Sequence, residues 1–161
     1  MPIVHLLCGL PASGKTTLAR RLEQERRAVR FTLDEWMLSL FDLAPSDNAY
    51  GPQADRVKEL IWRMVERVLA LGHDVVLDWS QWNVGAREEA RRRAAALGAE
   101  AVLHYIEVPL AVAEQRLAER NMTAPAGAHL LDLDEARRFT RDLFEPPTPA
   151  EAVAIVVESP D

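Results

Sequence analysis

Gly9-Leu10-Pro11-Ala12-Ser13-Gly14-Lys15-Thr16 is the stretch on which the fold turns. It satisfies G-x-x-x-x-G-K-[ST], a pattern whose meaning depends on what surrounds it. Upstream, Ile3-Val4-His5-Leu6-Leu7-Cys8 is an apolar run of strand length. Downstream, Thr17-Leu18-Ala19-Arg20-Arg21-Leu22-Glu23-Gln24-Glu25 is rich in helix formers. Strand, glycine loop and helix in that order are the context a phosphate-binding loop requires.

The residue types then have chemical reasons. Gly9 and Gly14 permit backbone angles that other residues resist and leave room for phosphate oxygens. The loop N–H groups converge on an anion, helped by the positive end of the following helix. Lys15 supplies a cation for the β- and γ-phosphates, and Thr16 a hydroxyl for Mg²⁺. Leu10, Pro11, Ala12, Ser13 and Thr17 complete the cradle. Pro11 stiffens it, and the Ser13 side chain is read as secondary.

Working outward, strand and helix signals alternate. Strands are expected at Ile3–Cys8, Val29–Thr32 (ending at Asp34), Val75–Asp78, Ala101–Val108 and Val153–Val157. Helices are expected at Lys15–Glu25, Gln53–Leu71, Asn83–Leu97, Pro109–Arg120 and Leu133–Phe144. Val57, Ile61, Met64, Val68 and Leu71 recur at spacings of four and three, so the second of these helices has one apolar face. Asn83 suits a helix N-cap, and Gly72 and Gly98 suit helix ends. The alternation predicts an α/β fold with a parallel sheet covered on both faces. With 161 residues and no linker or repeat, one domain spanning 1–161 is expected, with residues about 121–135 as a loop or lid.

Bulk properties narrow the partners. The net charge of −6 gives no overall electrostatic footprint for duplex nucleic acid. Arg87, Arg91, Arg92 and Arg93 form the densest basic cluster and read as the solvated face of a helix. Cys8 is the single cysteine, which excludes an internal disulfide and suits a reducing compartment. No signal peptide or membrane-spanning stretch is apparent, so a cytoplasmic location and no membrane partner are expected. The four histidines lack metal-ligand spacing; His129 alone falls in the lid.

Ligands of open parallel sheets sit beyond the carboxyl ends of the strands. Asp34 and Asp78 are expected there, facing the space before Lys15. Asp34 is assigned as the base that orients an acceptor hydroxyl and takes its proton, and Asp78 as a holder of Mg²⁺. A structural role is open to each: a helix N-cap for Asp34, a strand-end hydrogen bond for Asp78. Arg116 and Arg120 share one face of a helix, and Arg120 is placed to stabilise charge on a transferring phosphoryl group. Trp36, Trp79 and Trp82 follow the two aspartates and are expected to line an acceptor pocket.

Those segments resemble the small P-loop kinases of the AAA domain 33 family, which are similar to chloramphenicol phosphotransferase, zeta toxins and the kinase domain of phage polynucleotide kinase. The likeness runs through Gly9–Thr17, Phe31-Thr32-Leu33-Asp34-Glu35-Trp36, Val75-Val76-Leu77-Asp78, Glu107-Val108-Pro109 with Arg116 and Arg120, and Leu143-Phe144-Glu145-Pro146-Pro147. It implies a three-layer P-loop fold with five strands in the order 2-3-1-4-5 and a helical lid. It implies ATP and Mg²⁺ as cofactors, Asp34 as activator of the acceptor hydroxyl, and Arg116 and Arg120 as ATP contacts. It also implies that the adenine lies between the lid and Pro147–Glu151. The expectation is an ATP-dependent kinase acting on a hydroxyl of a small molecule. Two alternatives stand beside it: a polynucleotide 5′-hydroxyl kinase, for which a basic channel is wanted, and a nucleotide-binding switch or ATPase acting through a partner.

Overall fold

Ile3–Gly9 forms strand β1, with Val4, Leu6, Leu7 and Cys8 wholly inaccessible to solvent. A strand buried on both faces belongs in the middle of a sheet, and β1 lies there. In a computed structural model, which describes residues 1–126 and 129–158, the chain runs from β1 to α1 (Lys15–Arg26), β2 (Val29–Thr32), α2 (Leu33–Leu40), α3 (Tyr50–Ala70), β3 (Val75–Ser80) and α4 (Val84–Ala96). It continues through β4 (Glu100–Ile106), α5 (Leu110–Thr123), α6 (Leu133–Leu143) and β5 (Ala154–Glu158). The five strands are all parallel and stand in the order β2-β3-β1-β4-β5. The parallel sheet covered on both faces is the one the strand–helix alternation predicts, and the strand order is the one the family resemblance implies.

The two sheet faces carry separate cores. Val4, Leu6 and Leu77 pack with Met37 of α2, with Val57, Ile61 and Val65 of α3, and with Ala90 and Ala94 of α4. Leu7 and Val76 pack with Leu18, Ala19 and Leu22 of α1 and Ala113 of α5. Successive strand residues point to opposite faces, so β3 sends Leu77 one way and Val76 the other. The pairing of β1 with β3 is irregular beyond Leu6, where Leu7 is matched to Ser80.

Several boundaries differ from expectation for local reasons. β3 continues past Asp78 to Ser80, and α5 runs on through Asn121 to Thr123. α3 begins at Tyr50, with Gly51 and Pro52 in its first turn, where a missing proline N–H costs no intrahelical bond. α2 follows β2 with no intervening loop, so Asp34 is the second helical residue and neither a strand end nor a cap. Asn83 does cap α4, accepting from Ala86 N–H at 2.8 Å.

Arg87 departs furthest from its reading as a solvated residue: it is 0 % exposed. Its guanidinium makes a bidentate pair with Glu151, 2.7 Å on each arm, and donates to the carbonyls of Gln81 and Glu145 at 3.0 Å. One side chain thus pins the segment after α6 to the end of β3. Truncating one partner of a buried pair leaves the other charge uncompensated. Arg87→Met is expected to lower unfolding free energy by about 3–5 kcal/mol. Urea unfolding would show it, and the double variant Arg87→Met/Glu151→Leu should recover part of the loss.

A second buried polar cluster crosses the sheet. The His5 and His104 rings share a hydrogen bond at 2.9 Å; His104 pairs with Glu158 at 3.0 Å, and His5 lies 3.7 Å from Asp74. Burial, reinforced by the charge of His104, pushes His5 down to about 4. The unfolded chain, with a histidine near its ordinary 6.5, then binds more protons than the folded one between these values. Stability should therefore be complete above about pH 6.5 and fall as pH drops toward 4, by up to about 3 kcal/mol from this group. Urea midpoints measured between pH 7.5 and 4.5 test this, and His5→Asn should flatten the curve.

Candidate phosphoryl-transfer site

The phosphate loop is built from tight backbone contacts. A Cβ at Gly9 would lie 2.6 Å from Ser13 Oγ and 3.0 Å from the Ile106 carbonyl, so only glycine fits between them. Ser13 is fully buried against Gly9, and this close packing, not a solvent-facing role, explains its small side chain. Gly14 has φ +107°, a conformation that excludes a side chain on backbone grounds. Ala12, at φ +59°, takes the left-handed region without being glycine, a strain of about 1 kcal/mol or more that its composition does not announce. Leu10 accepts from Ser13 N–H at 3.1 Å, closing the turn across Pro11.

Helix α1 then starts at Lys15 with no side-chain cap and no acidic residue in its first turn. Its leading N–H groups are left for an anion. Lys15 Nζ donates to the carbonyls of Gly9 at 3.0 Å and Leu10 at 2.7 Å. Burial pushes its ammonium down to about 8. Thr17 is exposed on the same turn. Arg116 of α5 reaches the loop from the far side, donating to the Ser13 carbonyl at 3.4 Å.

Thr16 and Asp78, both assigned to Mg²⁺ from the sequence, lie within hydrogen-bond distance of each other. Asp78 is interior to β3 and 5 % exposed; its side chain lies on the α1 face of the sheet. It accepts from Thr16 Oγ1 at 3.3 Å, from Thr32 Oγ1 at 3.2 Å and from Arg30 at 3.1 Å. Burial pushes its carboxyl above the usual range, and Arg30 offsets part of that. Arg30, which also pairs with Glu23 and Glu35, is a member of this cluster that the sequence reading missed. Among the described residues no three or more His, Cys, Asp or Glu group as a metal site. A hydroxyl with one carboxylate is nevertheless a donor set that suits a hard cation carried mainly by phosphate and water oxygens.

Asp34 stands on the first turn of α2, half-buried. Burial raises its pKa, and the charges that act against this come from His129, Arg120 and Lys15. Arg120 responds reciprocally: burial lowers its pKa and Asp34 opposes the lowering. Arg120 Nε is buried with no hydrogen-bond partner among the described residues, as is His129 Nε2. The phenol of Tyr50 is pushed above its normal range by burial and by the Asp34 charge, and its ring meets His129 edge to face at 5.5 Å. Asp34, Lys15 and Arg120 therefore share one electrostatic neighbourhood, with Tyr50 and His129 as its wall. In the sequence Tyr50 reads as a loop aromatic near the rim of the site, able to line an acceptor pocket, and His129 as the one histidine of the lid. Residues 127–128 of the expected lid lie outside the described residues.

The tryptophans do not gather at this point. Trp36 packs on Phe31, 6.3 Å between centroids, and Trp82 packs on Phe139 and Phe144. Trp79 follows Asp78 on the strand and so lies against the core on the opposite face, beside α3 and α4. The remaining arginines of α4 are all engaged: Arg91 with Glu88, Arg92 with Glu89, and Arg93 with Glu59 and Glu89. No described helix is long and apolar enough to cross a membrane.

A parallel sheet in this order, with a glycine loop passing from the central strand into a helix, defines a P-loop fold. The chain belongs to the AAA domain 33 family, whose description is simply AAA domain and whose match covers residues 4–143. No curated protein matches. Among solved structures the fold is similar to a Chloroflexus aurantiacus protein provisionally assigned as a kinase, at 19% identity and TM-score 0.75, covering 98% of this chain and 88% of the other. Kti12 of Chaetomium thermophilum, solved with ADP-AlF3, matches at 21% identity and TM-score 0.70, over 97% and 89%. The APS kinase CysC of Mycobacterium tuberculosis, solved with AMPPNP and APS, matches at 18% and 0.61, over 99% and 89%.

Proposed function

We propose that the protein is an ATP-dependent phosphotransferase that moves the γ-phosphate to a hydroxyl of a small molecule. What supports this reading is that Asp34, in the first turn of α2 just past the end of β2, is a half-buried carboxylate on which the charges of Arg120 and Lys15 both act. A carboxylate that faces two cations beside an anion cradle is what in-line transfer from a nucleotide to an alcohol needs. The nucleotide-bound relatives, solved with ADP-AlF3 and with AMPPNP, support an adenine nucleotide in the loop.

In this mechanism the loop N–H groups and Lys15 hold the β- and γ-phosphates, drawing Lys15 from the carbonyls of Gly9 and Leu10. Asp34 accepts the proton of the acceptor hydroxyl as its oxygen bonds to the γ-phosphorus and the bond to the ADP oxygen breaks. Its raised pKa makes it a stronger base than an exposed aspartate. Arg120 and Arg116 approach from α5 and neutralise charge on the phosphoryl oxygens. Thr16 and Asp78 would hold Mg²⁺, which supplies charge neutralisation at the β- and γ-phosphates. The engaged arginines of α4 and the net charge of −6 support a small acceptor over a polynucleotide.

The test is ADP formation measured across a panel of small alcohols, sugars, nucleosides and antibiotics. Acceptor-dependent ADP release is expected. Hydrolysis that no acceptor stimulates, but a second protein does, would move the reading to an ATPase switch.

A further inference from the structure

On the sheet face opposite α1, a groove of about 340 Å³ runs between α3 and α4. Its floor is Trp79 and Gln81 at the end of β3; its walls include Trp62 and Glu59 of α3 and Glu89 and Arg93 of α4. The size is at the lower end for small-molecule sites. Arg93 lies over the Trp62 ring at 5.5 Å and is itself held by Glu59 and Glu89, so the indole is fixed in place.

Gln81 is the anomaly. It is 4 % exposed, and its main chain is satisfied: N–H donates to Leu7 O at 2.9 Å, and its carbonyl accepts from Arg87. Its side-chain amide has no hydrogen-bond partner among the described residues, and it lines the groove. The amide is not among the solvent-inaccessible polar atoms left unpaired in the fold, so it keeps access to the groove and offers an incoming group both a donor and an acceptor. A primary amide offers both an N–H donor and a carbonyl acceptor on one edge, which pairs with a lactam or an amino-heterocycle.

Charge narrows the ligand further. Lys58 lies near Asp55, and Arg93 is spoken for by two carboxylates; the groove carries equal numbers of acids and bases. Nothing there draws a polyanion. Trp79 and the face of Trp62 that Arg93 leaves uncovered, beside an accessible amide, suit a neutral planar ring that stacks on them and pairs at its edge.

We propose that the α3–α4 groove binds a neutral, planar nitrogen heterocycle, nucleoside-like in size, stacked on Trp62 and Trp79 and paired with the Gln81 amide. Asp55, one of the lining residues, lies about 8 Å along α3 from Tyr50, whose phenol feels the Asp34 charge. Resting on the phosphotransferase reading, this makes the heterocycle the ring end of the acceptor, with its hydroxyl-bearing arm directed to Asp34.

The test uses the full chain with saturating ADP, so that the nucleotide site is filled, and titrates 2-aminopurine riboside by calorimetry and tryptophan fluorescence. The expected result is saturable binding that Gln81→Met and Trp62→Leu each weaken about tenfold, with ADP affinity unchanged. Unchanged ADP binding also reports that the variants are folded. Absence of riboside binding, or binding that neither substitution alters, overturns the groove assignment. Riboside binding to the ADP complex, with no acceptor-dependent ADP release from ATP for any member of the panel, would leave the groove standing and sink the kinase reading. Transfer to another acceptor at wild-type rates in both variants would do the reverse.

Discussion

Asp34→Asn should lose phosphoryl transfer by about 10²–10⁴-fold in kcat while retaining nucleotide affinity within a few-fold. Asparagine keeps the shape and the hydrogen-bonding oxygen but cannot take a proton. The loss should therefore fall on the chemical step, with little change in KM for ATP, because the loop and Lys15 are untouched. The pH profile carries a second prediction from the same residue. A base works only when deprotonated, so activity rises with pH through its pKa. Burial raises the Asp34 pKa, and the wild-type acid limb should sit above the ordinary carboxylate range. The residual activity of Asp34→Asn should lack that limb. Stopped-flow or coupled ADP assays with an identified acceptor make the comparison. Wild-type transfer by the asparagine variant would remove Asp34 from the mechanism.

The framework of this site was legible because it is written locally. Val4, Leu6 and Leu7 declare a buried strand, the glycine loop declares the turn, and period-3.6 apolar spacing declares α3. What was not legible depends on distance in space. Arg87 shares a face of α4 with Ala90 and Ala94, a pattern that does signal burial, yet its partner Glu151 lies 64 residues on. Strand alternation from Val75 to Gln81 separates Asp78 from Trp79 and puts Trp79 on the face away from the phosphate loop. Trp36 and Trp82 were drawn to the site by sequence adjacency alone; their rings instead meet Phe31, Phe139 and Phe144. Asp34 reads as a strand end in the sequence but stands in the first turn of α2, because β2 passes into α2 without the turn residues that usually mark such a junction. His129 and Tyr50 carry no motif, and only the folded chain brings them to Asp34.

Arg120→Met should lower kcat by about 10³-fold, the scale of losing a cation aimed at the transferring phosphoryl group. Arg120→Lys should recover only part of it, since an ammonium keeps the charge and loses the planar fork. Stability separates this role from a structural one. Arg120 is half-buried, which lowers its pKa, and its Nε is inaccessible with no partner among the described residues. Such an arrangement is unfavourable for folding, and only the carboxylate of Asp34 offsets it. Methionine removes the desolvated donor while filling similar volume, so Arg120→Met should unfold at the same or a higher temperature than wild type. An arginine that served the fold would do the opposite, with Tm and activity falling together. Thermal unfolding measured with and without ADP and Mg²⁺ distinguishes the two: a variant that is as stable as wild type without nucleotide, gains less from adding it and transfers almost no phosphate places Arg120 in the chemistry.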